Sequence, residues 1–370
     1  MKTFLQNAFV FCALIVLFYP IIRFNKNAVV SEKENRNLAT LPYILKDGRL
    51  NKNLFAEYSS YFNDRFGGRQ HLIMLNDKLK RLLHANSLIF NDRAIKGKND
   101  WYFYIDKNDG NNLSDFYKTN LLSEAELSIF RSNVKNTANW CSKNGIKYIF
   151  LICPNKHSVY SEFYPFSRPD GKTRADQLTE VLSELGVDYI FFRDELLQHK
   201  ADFDFPLYYE TDTHWNTAGA FIAFGLLKNK IQSNFPAIEF PNIQYETKIE
   251  YSETAGDILP MLSVKKSHST RPTMFPAGKS NSDFYDYTKN KGREGVITKG
   301  KNSKLPRALI FRDSFFSALE PFTSPLFSDA EYIWKTFSDQ DKEYVLNYKP
   351  DLMIFEHVER YANGLCFCSD

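Results

Sequence analysis

Short apolar runs alternating with capped helical segments predict an α/β protein with a mostly parallel sheet covered on both faces. Three features of this 370-residue chain carry that reading. Residues 146–152, 307–311 and 351–355 are too short for helices and apolar at successive positions, as strands buried on both faces are. Segments with helix start and stop signals lie between such runs. A serine, Ser314, follows one run at its carboxyl end, where ligands of parallel sheets gather.

The elements follow in order. Residues 4–22 are almost unbroken apolar sequence, with Lys2 before them and Arg23 and Lys26 after. A run of about 20 apolar residues matches the roughly 30 Å hydrocarbon thickness of a bilayer. It ends in Phe18-Tyr19-Pro20-Ile21-Ile22, without the small residues of a cleavage site. Residues 1–23 are therefore expected to form an uncleaved signal anchor, with the rest of the chain exported to the periplasm or beyond. Residues 24–96 read as a polar stalk and a helical lead-in, with Leu72, Leu75, Leu79, Leu82 and Leu83 at helical spacing and a break at Gly67-Gly68. Residues 97–370 hold the main domain. Ser123-Glu124-Ala125-Glu126 is a capping box whose helix stops near Gly145. The strand at 146–152 follows, then a helix over 174–185 ended by Gly186 and a strand over 187–192. Asn216 is expected to cap a helix running to about residue 231. The strand at 307–311 runs into the serine segment, and a strand at 330–334, a helix at 339–348 and a strand at 351–355 close the series. Residues 246–304, rich in Lys, Ser, Thr and Gly, interrupt the alternation and read as a long excursion over the sheet edge.

The composition excludes some functions. A net charge of +3 with no basic block gives no support for a nucleic-acid partner. Five cysteines make no disulfide framework, although an exported location would permit pairing of Cys366 and Cys368. The aromatic fraction of 16% is high; most of these rings are expected in the core, and exposed ones stack well on sugar rings.

Two segments carry chemistry. Thr211-Asp212-Thr213-His214-Trp215 offers a carboxylate and an imidazole two positions apart, and Phe311-Arg312-Asp313-Ser314-Phe315-Phe316 offers a serine after a strand. In extended chain Asp212 and His214 face one side, so Asp212 is expected to hold one ring nitrogen while the other faces Ser314. Nucleophile, base and orienting carboxylate are the parts of serine-based acyl transfer. Trp215 is placed to shield the ring from water or to sit in the core. The strand-to-turn junction at Ser314 would direct backbone N–H groups at a developing oxyanion. No second His or Cys lies at ligand spacing from His214, so no metal is expected, and no cofactor motif is present.

These residues resemble a known family. Thr211-Asp212-Thr213-His214-Trp215 is similar to the Asp-x-His-Trp signature of the SGNH-hydrolase-like proteins of alginate O-acetylation, the DHHW-type family. In the same order, residues 31–38 resemble its Glu-Asn-Arg segment and Lys98–Tyr104 its Gly-Trp-Leu-Phe strand. Pro154-Asn155-Lys156-His157-Ser158-Val159-Tyr160 resembles its Pro-x-Lys-x-x-Tyr stretch, Gly256-Asp257-Ile258 its Gly-Asp-Leu element, and Arg312-Asp313-Ser314-Phe315 its Gly-Asp-Ser-Phe motif.

The resemblance implies an SGNH-like three-layer α/β/α fold with Ser314 as nucleophile, His214 as general base and acid, and Asp212 as orienter. It implies O-acetylation of an exported polysaccharide, with a membrane-bound O-acyltransferase supplying acetyl groups. Arg312 stands where the family has glycine, either crowding the pocket or holding an anionic glycan. Asn155 and Lys156 lie on a loop within reach of the site, Asn155 as an oxyanion donor or as a loop cap. Two alternatives stay open: a carbohydrate esterase using the same triad, and a non-catalytic glycan-binding scaffold of an export complex.

Overall fold

The computed structural model describes residues 18–19, 24, 30–31, 36–46, 48–67, 91–254, 256–290, 295–362 and 364–366. The expected anchor lies outside the described residues except at positions 18–19, as do the leucines of the lead-in and Cys368. Among the described residues no helix is long and apolar enough to cross a membrane. The chain divides into two compact units, residues 1–89 with 260–264 and residues 90–259 with 265–370.

In the first unit a helix spans Leu54–Arg65 and stops just before the expected glycine break. Its last turn is pinned locally. The Ala39 N–H donates to the Asp64 carboxylate at 2.7 Å, and the Arg65 guanidinium donates back to the Ala39 carbonyl.

The second unit is built on a seven-stranded sheet. Its strands are β1 (Lys147–Cys153), β2 (Tyr189–Phe191), β3 (Tyr285–Asn290), β4 (Gly295–Gly300), β5 (Arg307–Arg312), β6 (Asp329–Trp334) and β7 (Leu352–Val358). The spatial order is β3-β4-β6-β5-β7-β1-β2; the five strands from β6 to β2 are parallel and β4 is antiparallel to both neighbours.

Successive residues of the central strands enter opposite cores. Ile333, Phe311, Phe355 and Phe150 form one row across β6-β5-β7-β1, and Tyr332, Ile310, Ile354 and Ile149 form the row on the other face. The first row lies under α1 (Glu124–Lys143), α2 (Arg174–Glu184) and α4 (Lys342–Tyr348), the second under α3 (Thr217–Asn234). Burying each such aliphatic or aromatic side chain contributes about 1.5–3 kcal/mol. Continuous apolar strands are thus what a sheet between two helical layers requires. The capping box at Ser123 and the Asn216 cap form as the sequence suggests, Asn216 accepting from the N–H groups of Ala218 and Gly219.

Residues 246–304 are more ordered than an excursion. Tyr245–Ser252 and Ser269–Pro276 pair as an antiparallel ribbon, and β3 and β4 extend the main sheet past β6. β4 buries only alternate residues, Val296 and Thr298, while Lys299 stays exposed. Its composition therefore reads like that of a loop.

Candidate active site

Two loops meet at the carboxyl end of β5. Ser314 opens a 3-10 turn, Ser314–Ala318, directly after the strand. Asp313 caps this turn: one carboxylate oxygen accepts the Phe315 N–H at 2.9 Å and the other the Val358 N–H at 2.7 Å. The Asp313 N–H donates to the Glu356 carboxyl at 2.9 Å, so the serine turn is tied twice to β7. Burial, with the Asp313 charge beside it, holds the Glu356 carboxyl well above the ordinary carboxylate range.

The second loop runs from Tyr208 to Trp215, which form an isolated antiparallel bridge. Inside it, Oδ1 of Asp212 accepts both the His214 backbone N–H at 3.1 Å and Nδ1 at 2.7 Å. The segment is a turn closed by an aspartate bonding its own backbone two residues on, instead of the extended chain expected. Nε2 of His214 lies 2.7 Å from Oγ of Ser314. The His214 side chain keeps 29% of its surface exposed, enough for a substrate to reach it.

A third strand of the network is Asp257. Its carboxylate accepts the Thr213 N–H at 2.8 Å and the Thr213 hydroxyl at 2.7 Å, while its own N–H donates to Asp212 at 3.2 Å. Gly256 allows this approach: its φ is +117°, and a Cβ there would sit 2.2 Å from the Thr211 carbonyl oxygen. The Gly-Asp-Ile motif was visible in the sequence, but nothing in its spacing assigned Asp257 to His214.

The electrostatics separate the groups. Burial pushes Asp212 up, but hydrogen bonds from His214 and its charge bring it down to about 2. Burial pulls His214 down; the hydrogen bond and charge of Asp212, with Asp257 beyond, outweigh it and leave its pKa above the ordinary histidine value. Burial and the charge of Asp212 raise Asp257. Asp212, His214 and Asp257 bring ligand atoms within 4.8 Å of one another. Both nitrogens of His214 are already engaged, Nδ1 by Asp212 and Nε2 by Ser314, so a cation would have to displace one of these bonds.

The other expected residues are placed as follows. Trp215 is buried, and its Nε1–H donates to the Phe315 carbonyl at 2.9 Å, joining the histidine loop to the serine turn. Lys156 is buried behind the loop and donates to main-chain carbonyls. The Asn155 N–H donates to Glu359 at 2.9 Å, while its buried side-chain amide has no hydrogen-bond partner among the described residues. Asn155, Thr213 and Arg360 line one small pocket. Arg312 takes no part in the Asp212–His214–Ser314 contacts: its guanidinium donates to the Asp313 carbonyl at 3.1 Å and the Ser317 hydroxyl at 2.9 Å, and stacks 4.3 Å from the Trp334 ring centre. It braces the serine turn from behind, on the wall of a pocket of about 280 Å³ that also includes Trp334, Thr336, His357 and Tyr361. Glu356 and Arg360 carried no motif that sequence reading could have used.

Residues 94–290 match the family described as SGNH hydrolase-like domain, acetyltransferase AlgX. The match takes in Lys156, Asp212, His214 and Asp257 and ends before Ser314. Bacillus cereus PatB1 with a sulfonyl adduct is similar in structure, with a TM-score of 0.54 at 13% identity, covering 77% of this chain and 99% of that one. A second PatB1 structure from Bacillus cereus aligns with a TM-score of 0.51 at 14% identity, over 73% of this chain and 97% of that one. A DHHW family protein from Eubacterium siraeum aligns with a TM-score of 0.50 at 13% identity, over 75% and 94%. At these identities the likeness shows the fold. No curated protein sequence matches the chain.

Proposed function

Because the chain belongs to the SGNH hydrolase-like acetyltransferase family, we propose that it O-acetylates hydroxyls of an exported polysaccharide through Ser314, His214 and Asp212. The observation that carries this reading is the continuous chain of two 2.7 Å contacts from Asp212 through His214 to Ser314.

The reaction runs in two halves. Ser314 Oγ attacks the carbonyl carbon of an acetyl ester and passes its proton to Nε2 of His214, and Asp212 stabilises the imidazolium. The tetrahedral intermediate collapses as the imidazolium protonates the leaving oxygen, which leaves acetyl-Ser314. A sugar hydroxyl then gives its proton to Nε2, attacks the acetyl carbon, and Ser314 regains the proton as it departs. The Asn155 amide, with its donors open, is the side chain we assign to the oxyanion. The acceptor is assigned to the pocket lined by Arg312, Asp313, Trp334 and Tyr361, where the two rings offer aromatic surface. The acetyl donor is supplied by a membrane-bound O-acyltransferase, and residues 1–23 tether the chain by a single span with the catalytic unit in the periplasm or outside the cell.

Incubation of the protein with an artificial acetyl ester and oligosaccharide acceptors tests the reading. Acetylated oligosaccharide supports transfer. Acetate release alone, unaffected by any acceptor, would make the protein an esterase, and neither product from intact protein would leave a glycan-binding scaffold.

A further inference from the structure

We propose that Lys156 is a positioning residue for the catalytic loop, its ammonium group setting the place of Asp212 and His214 opposite Ser314 by holding the carbonyls of Tyr209, Glu210 and Asp212. The inference rests on the catalytic reading above and assigns a residue outside the triad.

The geometry is specific. Nζ lies 3.0 Å from the Tyr209 carbonyl oxygen, 3.1 Å from that of Glu210 and 2.6 Å from that of Asp212. An ammonium has three donors and no acceptor, so these three carbonyls use all of them. Nothing remains for a substrate or an oxyanion, and the side chain is 4% exposed. Trp101 and Phe103 present their rings to Nζ at 5.6 Å and 5.3 Å, which favours a cation there. Three carbonyls of one loop, those of Tyr209, Glu210 and Asp212, converge on one atom and fix the curvature of the segment that ends in His214. Lys156 itself stands on the short helix Lys156–Val159 just after β1. The clamp therefore references the catalytic loop to a central strand, independently of the Asp257 link.

The charge matters as well as the donors. Carboxylates of Asp212, Asp257 and Glu210 face Nζ and favour its protonation, while burial, the larger influence, lowers Lys156 to about 7. A neutral amine keeps only two N–H groups, so one carbonyl loses its donor when the proton leaves. Glu210 is the relay to the ribbon, because its carboxylate accepts from the Thr270 N–H at 2.9 Å and the Thr270 hydroxyl at 2.8 Å.

The test compares full-length wild type, Lys156→Met and Lys156→Arg by two readouts: the rate at which a sulfonyl fluoride labels Ser314, followed by mass spectrometry, and kcat and KM on an acetyl ester. The clamp predicts that Lys156→Met lowers labelling rate and kcat by about tenfold or more with KM within about twofold, and that Lys156→Arg recovers part of the loss. Unchanged labelling in folded Lys156→Met, or a loss confined to KM, overturns it. Where Lys156→Met does not fold, Lys156→Gln, which keeps two donors, is held to the same criteria. If wild type itself neither labels nor turns over, the catalytic reading fails, and the clamp is then judged by NMR titration of His214. Loosening of the Asp212 bond to Nδ1 must lower the His214 midpoint, and an unmoved midpoint refutes the clamp.

Discussion

Oγ of Ser314 and Nε2 of His214 lie 2.7 Å apart although they are 100 positions apart in the chain. That contact is held from both sides. Asp313 ties the serine turn to β7, and Trp215 donates across the gap to the Phe315 carbonyl. A nucleophile and base that act as a unit lose activity together. Ser314→Ala and His214→Ala are each expected to lower kcat by on the order of 10³-fold or more, and the double variant by little beyond either alone. Steady-state kinetics on an acetyl ester checks this; additive losses would separate the two groups.

Asp212→Asn keeps the shape of the turn but replaces an acceptor with a group that can donate to Nδ1, favouring the wrong tautomer. The expected loss in kcat is on the order of 10³–10⁴-fold, with thermal stability largely kept. Asp257→Asn, which alters a group that bonds to Thr213 and not directly to the histidine ring, should cost far less, about tenfold. Reversal of that ranking would make Asp257 the orienting carboxylate.

His214 must be neutral to take the serine proton, and its pKa lies above the ordinary histidine value. The sign follows: below the midpoint the imidazolium cannot accept a proton, so the acid limb of kcat/KM rises with pH with its midpoint above about pH 6.5, and loss of the Lys156 proton, at about 7, lowers the rate on the alkaline side. Asp212, brought down to about 2, stays ionised throughout that window and adds no second acidic limb. A profile between about pH 5 and pH 9 with its midpoint below 6 would contradict the assignment.

Much of this arrangement is legible in the chain. β1, β5 and β7 show as continuous apolar runs because both faces of each are buried, and Asn216 and Ser123 mark their helices by side chains that cap them. Asp212, His214 and Ser314 stand out because a triad needs those residue types beside strand ends. What escapes is long-range. β4 buries only alternate residues and β3 buries little beyond Tyr285, so both look like loop, and Asp257 reaches Thr213 through a backbone approach that depends on Gly256. The sequence places Lys156 on a loop within reach of the site and Arg312 as crowding the pocket or holding an anionic glycan. Both instead satisfy main-chain carbonyls, a use that depends on where distant carbonyls point.

Gly256→Ala tests that backbone approach. A Cβ 2.2 Å from the Thr211 carbonyl oxygen at a φ of +117° forces the loop to move. The expected destabilisation is roughly 1–3 kcal/mol in chemical denaturation, accompanied by a fall in kcat as the Asp257-to-Asp212 link shifts. Wild-type stability and activity in this variant would show that the loop does not need the glycine.

The cluster of Asp212, His214 and Asp257 makes metal removal informative. Dialysis against a strong chelator should leave the acetyl-ester rate within about twofold, because both ring nitrogens of His214 are already engaged, by Asp212 and Ser314. A larger loss restored by a divalent cation would recast the cluster as a metal centre.

The most direct measurement is intact-protein and peptide mass spectrometry of full-length protein quenched soon after mixing with an activated acetyl ester. The account predicts one added acetyl group, on the peptide carrying Ser314, absent in Ser314→Ala and discharged when a sugar acceptor is supplied. Turnover with the acetyl group on another residue, or undiminished turnover by Ser314→Ala, would contradict it.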